Sequence, residues 1–112
     1  MSDSLDLEID VQGVDQLRQQ DQPHFLLDCR EPTEYDTASI EGAVLIPMGE
    51  LGERLDELAP YRDSLIIVHC HHGGRSLHVA RALRQAGFAK SQSMAGGIDA
   101  WSQEIDPSIP RY

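Results

Sequence analysis

A chain of 112 residues that is 40% hydrophobic and 25% charged has the length and composition of one globular domain, which excludes disorder, collagen and coiled coil. Nine Lys+Arg against 19 Asp+Glu leave a formal charge of −10, which argues against nucleic acid or an anionic membrane surface as partner. No apolar run approaches the ~20 residues of a membrane span. The acidic start, residues 1–6, is unlike a secretory signal, and two cysteines, Cys29 and Cys70, are too few for a disulfide framework, so a reduced cytoplasmic setting is expected.

Short apolar runs alternate with amphipathic stretches, the pattern of βα units around a parallel sheet. Residues 7–9 read as a weak first strand, and Asp10 as the cap of a helix running through Leu17 to about Gln20. Phe25–Asp28 is a second strand, and Pro32 opens a short helix to Thr37. Residues 43–46 form a third strand, closed by Pro47. Leu51, Leu55 and Leu58 have helical spacing, with Pro60 expected to end that helix. Residues 65–68 are consecutively apolar, as in a central strand buried on both faces. Leu77, Ala80, Leu83 and Ala86 form one face of a helix that Gly87 stops. Residues 92–94 are a poor strand by composition, assigned because the alternation of units requires one. Gly96-Gly97 turns into a last helix over residues 98–104 that carries Trp101, and an irregular tail follows from about residue 105. The whole chain, 1–112, reads as a single domain.

Charge is unevenly spread. From Ser64 to Ile98 there is no Asp or Glu, while the same stretch holds Arg75, Arg81, Arg84, Lys90 and four of the five histidines, His69, His71, His72 and His78. A segment kept clear of negative charge in an acidic protein suggests an anion site. Its centre is the strand-to-helix junction Val68-His69-Cys70-His71-His72-Gly73-Gly74-Arg75-Ser76. A cysteine at the carboxyl end of a central strand stands where open α/β sheets bind ligands. The helix, expected from about Ser76, adds unpaired N–H groups and a partial positive charge, and Gly73 and Gly74 let the backbone curl tightly. Amides of residues 71 to 75 are expected to form a nest around the Cys70 sulfur and lower its pKa, making the thiolate a nucleophile. Ser76 is expected to cap the helix and bond the loop.

The loop from Cys70 to Ser76 resembles the active-site loop of the rhodanese family, Cys-x-x-Gly-x-Arg-Ser/Thr. Leu26-Leu27-Asp28-Cys29-Arg30-Glu31-Pro32 with Glu34-Tyr35, Ile40-Glu41-Gly42-Ala43, and Gly96-Gly97-Ile98-Asp99-Ala100-Trp101 resemble three further family segments. The likeness spans about Leu5 to Trp101. It implies an α/β, rhodanese-like fold: a five-stranded parallel sheet in the order 1-5-4-2-3 with helices on both faces. Three departures stand out. Ser39 replaces a frequent His, Cys29 replaces the usual Val, and His71 and His72 stand where thiosulfate-using members carry Arg or Lys. The last departure bears on the natural donor, not on the nucleophile.

The resemblance implies a sulfurtransferase without metal or other cofactor. Cys70 takes a sulfane sulfur from a small anionic donor such as thiosulfate, holds it as a persulfide and passes it to cyanide or a thiol. His71, His72, Gly73, Gly74, Arg75 and Ser76 form the substrate-binding loop. Arg75 either pairs with the anionic end of the donor or braces the loop against Asp28. Asp28 and Arg30, two apart at a strand end, share a face and are expected to hold the loop through an ion pair. Cys29 then points away from the loop into the core, so Cys29→Val is expected to be nearly silent. His78 reads as a surface residue and Trp101 as core. Three rivals remain. A cysteine phosphatase would use Cys-x5-Arg, one residue longer than the spacing here. A metal site built on His69-Cys70-His71-His72 cannot bring contiguous residues to one tetrahedral centre, since His69 should point away from Cys70. A non-enzymatic binding or sulfur-carrier module of the same fold usually looks degraded at the nucleophile, which is intact here. A monomer is the default expectation.

Overall fold

Five strands join in one all-parallel sheet in the order β1-β5-β4-β2-β3. The structure is a computed structural model that describes residues 5–112. The strands are β1 (Glu8–Ile9), β2 (Phe25–Asp28), β3 (Val44–Leu45), β4 (Ile66–His69) and β5 (Ser91–Met94). The α-helices are α1 (Val11–Gln19), α2 (Pro32–Thr37), α3 (Gly74–Gln85) and α4 (Gly97–Glu104). Each crossover carries helical structure, as parallel pairing requires. Among the described residues no helix is long and apolar enough to cross a membrane.

The sheet separates two apolar layers. On one face Leu27, Ile46, Ile66 and Val68 pack under Val79, Ala80 and Leu83 of α3 and under Leu51 and Leu58. On the other, Leu26, Ile67 and Met94 meet Val11 and Val14 of α1 and Ile98 and Trp101 of α4. Alternation along the strands therefore sorts neighbours to opposite layers, and the consecutively apolar β4 is buried on both sides. The capping of α1 agrees with expectation: Asp10 accepts from the Gly13 N–H at 2.7 Å. Gly87, at φ +98°, stands in the left-handed conformation just past α3. β5 forms despite its composition because its buried polar side chains are satisfied. Ser91 Oγ donates to the Phe88 carbonyl, Gln92 Nε2 donates to the Asp6 carbonyl, and Ser93 Oγ meets Ser76 Oγ.

Three expectations are corrected. The leucine-spaced segment is not an α-helix but two 3₁₀ segments, Met48–Glu50 and Leu55–Tyr61, and Pro60 lies inside the second instead of ending a helix. Gly49 and Gly52 weaken an α-helix there. The tighter i→i+3 bonds from Glu57 to Arg54 and from Arg62 to Ala59 need no donor from Pro60. Helix α3 begins at Gly74, two residues before Ser76, and its N-cap is Gly73. Its buried stripe is Ser76, Val79, Ala80 and Leu83, while Ala86 is exposed. A row of strict three-residue spacing drifts around a 3.6-residue helix, whereas the observed stripe follows the turns.

Candidate active site

The loop between β4 and α3 lies at the carboxyl edge of the sheet. Gly73 turns it into the helix at φ +111°, a conformation that favours glycine, and a Cβ there would sit 3.2 Å from the Gly96 nitrogen. Gly74 carries no such constraint: a Cβ on it would meet nothing within 4 Å. The Cys70 sulfur turns inward beneath the first turn of α3. It accepts from the Gly73 N–H at 3.1 Å and from the Ser76 N–H at 3.3 Å, and Ser76 Oγ lies 3.4 Å away. The donating amides are thus those of 73 and 76, a narrower set than the nest expected from 71 to 75. Ser76 is not the helix cap. It occupies the first turn, where its hydroxyl donates to the Gly73 carbonyl at 3.2 Å and meets Ser93 Oγ at 2.7 Å.

A second helix end fixes the loop from the other side. The Ile98 N–H donates to the Cys70 carbonyl at 2.9 Å and the Asp99 N–H to the His71 carbonyl at 3.1 Å. The free first-turn donors of α4 therefore satisfy the first two loop carbonyls. Gly97, at φ +61°, makes this docking possible, since a Cβ there would run into the Cys70 and His71 carbonyls. That contact is the physical content of the Gly96-Gly97 pair.

Arg75 does not reach Asp28. Its guanidinium pairs with Glu34 of α2, Nη1 to Oε1 at 2.6 Å and Nη2 to Oε2 at 2.9 Å. That pairing holds the Glu34 carboxyl down at about 2, against the cost of partial burial. Asp28 and Arg30 do form the expected ion pair, fully buried, with Nε and Nη2 on the two carboxylate oxygens at 2.9 and 2.7 Å. They lie on the sheet face opposite the Cys70 sulfur, however, and reach the site indirectly. Arg30 Nη1 donates to the Tyr112 hydroxyl at 2.8 Å, and that hydroxyl donates to Glu34 Oε2 at 2.8 Å. The Tyr112 ring stacks on His71 at 3.9 Å and 7°, and His71 stacks in turn on His72 at 3.8 Å. His69 points away from Cys70, as alternation requires. It is fully buried with its nearer ring nitrogen 3.8 Å from Asp28, and burial lowers its pKa. His78 is exposed and Trp101 is core, both as expected.

The orientation of Cys29 is corrected. Register pairs Asp28 with His69, and the Cys29 N–H donates to the His69 carbonyl at 3.1 Å. Cys29 does point opposite to Asp28 and Arg30, but that face is the one holding Cys70. The two cysteines are 1% exposed in the same apolar cluster. The Cys29 thiol is the largest influence that lowers the Cys70 pKa. Burial opposes it, and the Ser76 hydroxyl and the two amides assist. The neighbouring Cys70, with burial, pushes Cys29 up. The two amides that donate to Cys70 favour it as the member of the pair that carries the charge.

The basic residue of the acid-free segment nearest the loop is not free. Arg75 is ion-paired, and Arg84, at the far end of α3, donates to the carbonyls of Ser91, Leu5 and Asp6. His71, His72 and Asp99 place one ligand atom each within 4.8 Å of one another at the mouth of the site. Asp99 is already held by Arg111 at 2.9 Å, so a metal there would have to displace that pair. Glu34 and Tyr112 belong to the site and were not among the expected residues. Glu34 stands three residues after Glu31 in a capping-box pattern, which signals a helix start but not an active-site role. Tyr112 lies in a tail with no periodicity to read.

The comparisons with known proteins agree with this fold. A family model described as a rhodanese-like domain matches residues 10–104. The rhodanese-like/PpiC domain-containing protein 12, chloroplastic, of Arabidopsis thaliana is 38% identical over 91 residues, 78% of this chain and 30% of that protein. The adenylyltransferase and sulfurtransferase MOCS3-2 of Zea mays is 36% identical over 96 residues, 81% of this chain and 20% of that protein. The chain therefore spans no more than about a third of either relative. A rhodanese-related protein from Thermoplasma volcanium superposes with a TM-score of 0.77 at 31% identity, covering 94% of this chain and 98% of its own.

Proposed function

From the premise that the chain belongs to the rhodanese-like domain family, we propose that it transfers sulfane sulfur through a persulfide on Cys70. The observation that carries this reading is the Cys70 sulfur beneath the start of α3, accepting from the Gly73 and Ser76 N–H groups and ionising below its ordinary value. The relative from Zea mays whose name includes sulfurtransferase supports the same class of reaction.

The proposed steps balance with thiosulfate as donor. The Cys70 thiolate attacks the outer sulfur, the S–S bond of the donor breaks, and sulfite leaves with the electron pair. A Cys70 persulfide remains. An acceptor nucleophile, cyanide or a thiol, then attacks the terminal sulfur, and Cys70 departs as the thiolate. No separate base is needed where the thiolate is already favoured. Fixed N–H dipoles aimed at the sulfur stabilise its charge at the start and end of each cycle without reorganising. Arg75, committed to Glu34, is read as a brace that joins α3 to α2, with the donor met instead by the His71 and His72 edge. The partners are thus a small anionic donor and a thiol or cyanide acceptor, in a cytoplasmic setting.

Intact mass after incubation with thiosulfate tests the reading. Wild type is expected to gain one sulfur and to lose it on adding cyanide, with thiocyanate released over many turnovers, while Cys70→Ser gains nothing. Loading followed by a single stoichiometric release would instead identify a sulfur carrier of the same fold. Absence of loading, or equal loading of Cys70→Ser, would overturn the assignment of Cys70.

A further inference from the structure

We propose that Cys29 is a positioning residue for Cys70, its thiol directing its proton at the Cys70 sulfur and so keeping that sulfur anionic. The proposal rests on the reading of Cys70 as the nucleophile. Its basis is the β2–β4 register. Asp28 pairs with His69, so the next residues, Cys29 and Cys70, stand side by side at the strand ends and turn to the same face. Both are buried to within 1% in an apolar cluster that includes Val68, Ile46 and Val79.

A buried thiolate needs compensation, and the rest of the site supplies little. Two backbone N–H groups donate to the sulfur, while the Ser76 hydroxyl beside it gives its proton to the Gly73 carbonyl. Of the surrounding charged and titratable groups, Arg75 of α3 is neutralised by Glu34 of α2. His71 and His72 of the loop lie toward Asp99 of α4, and Asp28 of β2 is paired with Arg30 on the opposite face. No uncommitted cation among the described residues faces the sulfur. The thiol of Cys29 provides a further donor from the neighbouring strand end. Valine fills a similar space without a donor, so cysteine at this position adds a proton where the fold otherwise offers only methyl groups.

The Gly73 and Ser76 N–H groups aimed at Cys70 favour the negative charge there, which leaves the proton on Cys29. In the first half-reaction Cys70 attacks without giving up a proton. In the second, the Cys29 S–H meets the sulfur as it leaves, and a stabilised leaving thiolate departs faster. Cys29 touches neither donor nor acceptor.

The test is the ultraviolet absorbance of the Cys70 thiolate against pH, taken as the difference between each protein and its Cys70→Ser counterpart, with no sulfur donor present. The wild-type midpoint is expected well below neutrality. Cys29→Val is expected to raise it by about one pH unit or more. Cys29→Ala, which avoids overpacking if the valine variant does not fold, is expected to do the same. Cys29→Ser, which keeps a donor, is expected to restore at least half of the shift. A midpoint unchanged in folded Cys29→Val or Cys29→Ala, or raised equally by Cys29→Ser, would overturn the role. Failure of wild type to load sulfur would sink the proposed function yet leave this titration intact, so the two readings fail separately.

Discussion

Gly73 and Gly74 are adjacent and chemically identical, yet the structure asks different things of them. Gly73 caps α3 at φ +111°, against the Gly96 nitrogen, while Gly74 is an ordinary first helical residue with open space where a side chain would go. Gly73→Ala should cost about 1–2 kcal/mol for the left-handed backbone, with more from the contact, and should disturb the amide that faces Cys70. Gly74→Ala should leave sulfur loading intact and stabilise the chain by about 0.5 kcal/mol, because it restricts the unfolded state at no native cost. Thermal unfolding of the two variants side by side checks both signs. Equal destabilisation would show that the open space at Gly74 is needed for something else. From sequence the pair reads as one flexible turn, because spacing alone does not reveal which φ is positive.

Between elements, the site depends on two joints. Glu34 and Arg75 tie α2 to α3 through a two-pronged ion pair that is mostly shielded. The Glu34 carboxyl titrates at about 2 when folded against an ordinary 4.5. A lowered folded pKa means that the stabilisation is fully present above about pH 4.5 and is lost as pH falls toward 2. Glu34→Gln should therefore cost about 1 kcal/mol at pH 6 and much less at pH 3. Urea midpoints at the two pH values measure this, and an equal loss at both would remove the ion pair as its cause. The other joint docks α4 on the loop carbonyls over Gly97. Gly97→Ala must push the helix off Cys70 and His71, so sulfur loading should fall at least tenfold in a chain that still folds. Intact-mass time courses read this directly, and unchanged loading would show that α4 does not set the loop geometry.

At the scale of the molecule, Arg30 gathers distant pieces of chain around the end of β2. It bonds both Asp28 oxygens, the Glu34 carbonyl within α2, the Ala38 carbonyl at its C-cap, and the Tyr112 hydroxyl. Removing it leaves Asp28 charged, buried and without its cation, and takes from Tyr112 one of its hydroxyl's two partners. Arg30→Ala should cost about 3–5 kcal/mol, and Arg30→Lys should recover only part, since a point charge cannot make the planar fork. Equilibrium unfolding in urea decides this, and a cost within about 0.5 kcal/mol would show that water satisfies Asp28. Tyr112→Phe should be milder, near 1 kcal/mol, because it loses the hydroxyl's bonds and keeps the ring stacked on His71.

Local signals carried most of the elements, their order along the chain and the place of Cys70 at a strand-to-helix junction. Apolar runs of strand length, prolines and glycines at boundaries, and a cysteine between a buried strand and a helix are properties of neighbouring residues, and these were legible without coordinates. The family resemblance added the 1-5-4-2-3 order, which periodicity does not contain. Only tertiary structure decided which side of the sheet each active-site residue faces, and there the reading of Asp28, Arg30 and Cys29 needed correction. Alternation correctly set Cys29 opposite its neighbours. It could not say which face holds the Cys70 sulfur, because that depends on the register of β2 against β4 across about 40 intervening residues. The partner of Arg75 was hidden for the same reason: Glu34 and Asp28 are both acids near the same strand end, and only the packing of α2 on α3 brings one of them within reach. Chemistry local to the chain was written in the sequence, whereas each long-range pairing had several candidates that only the folded geometry could separate.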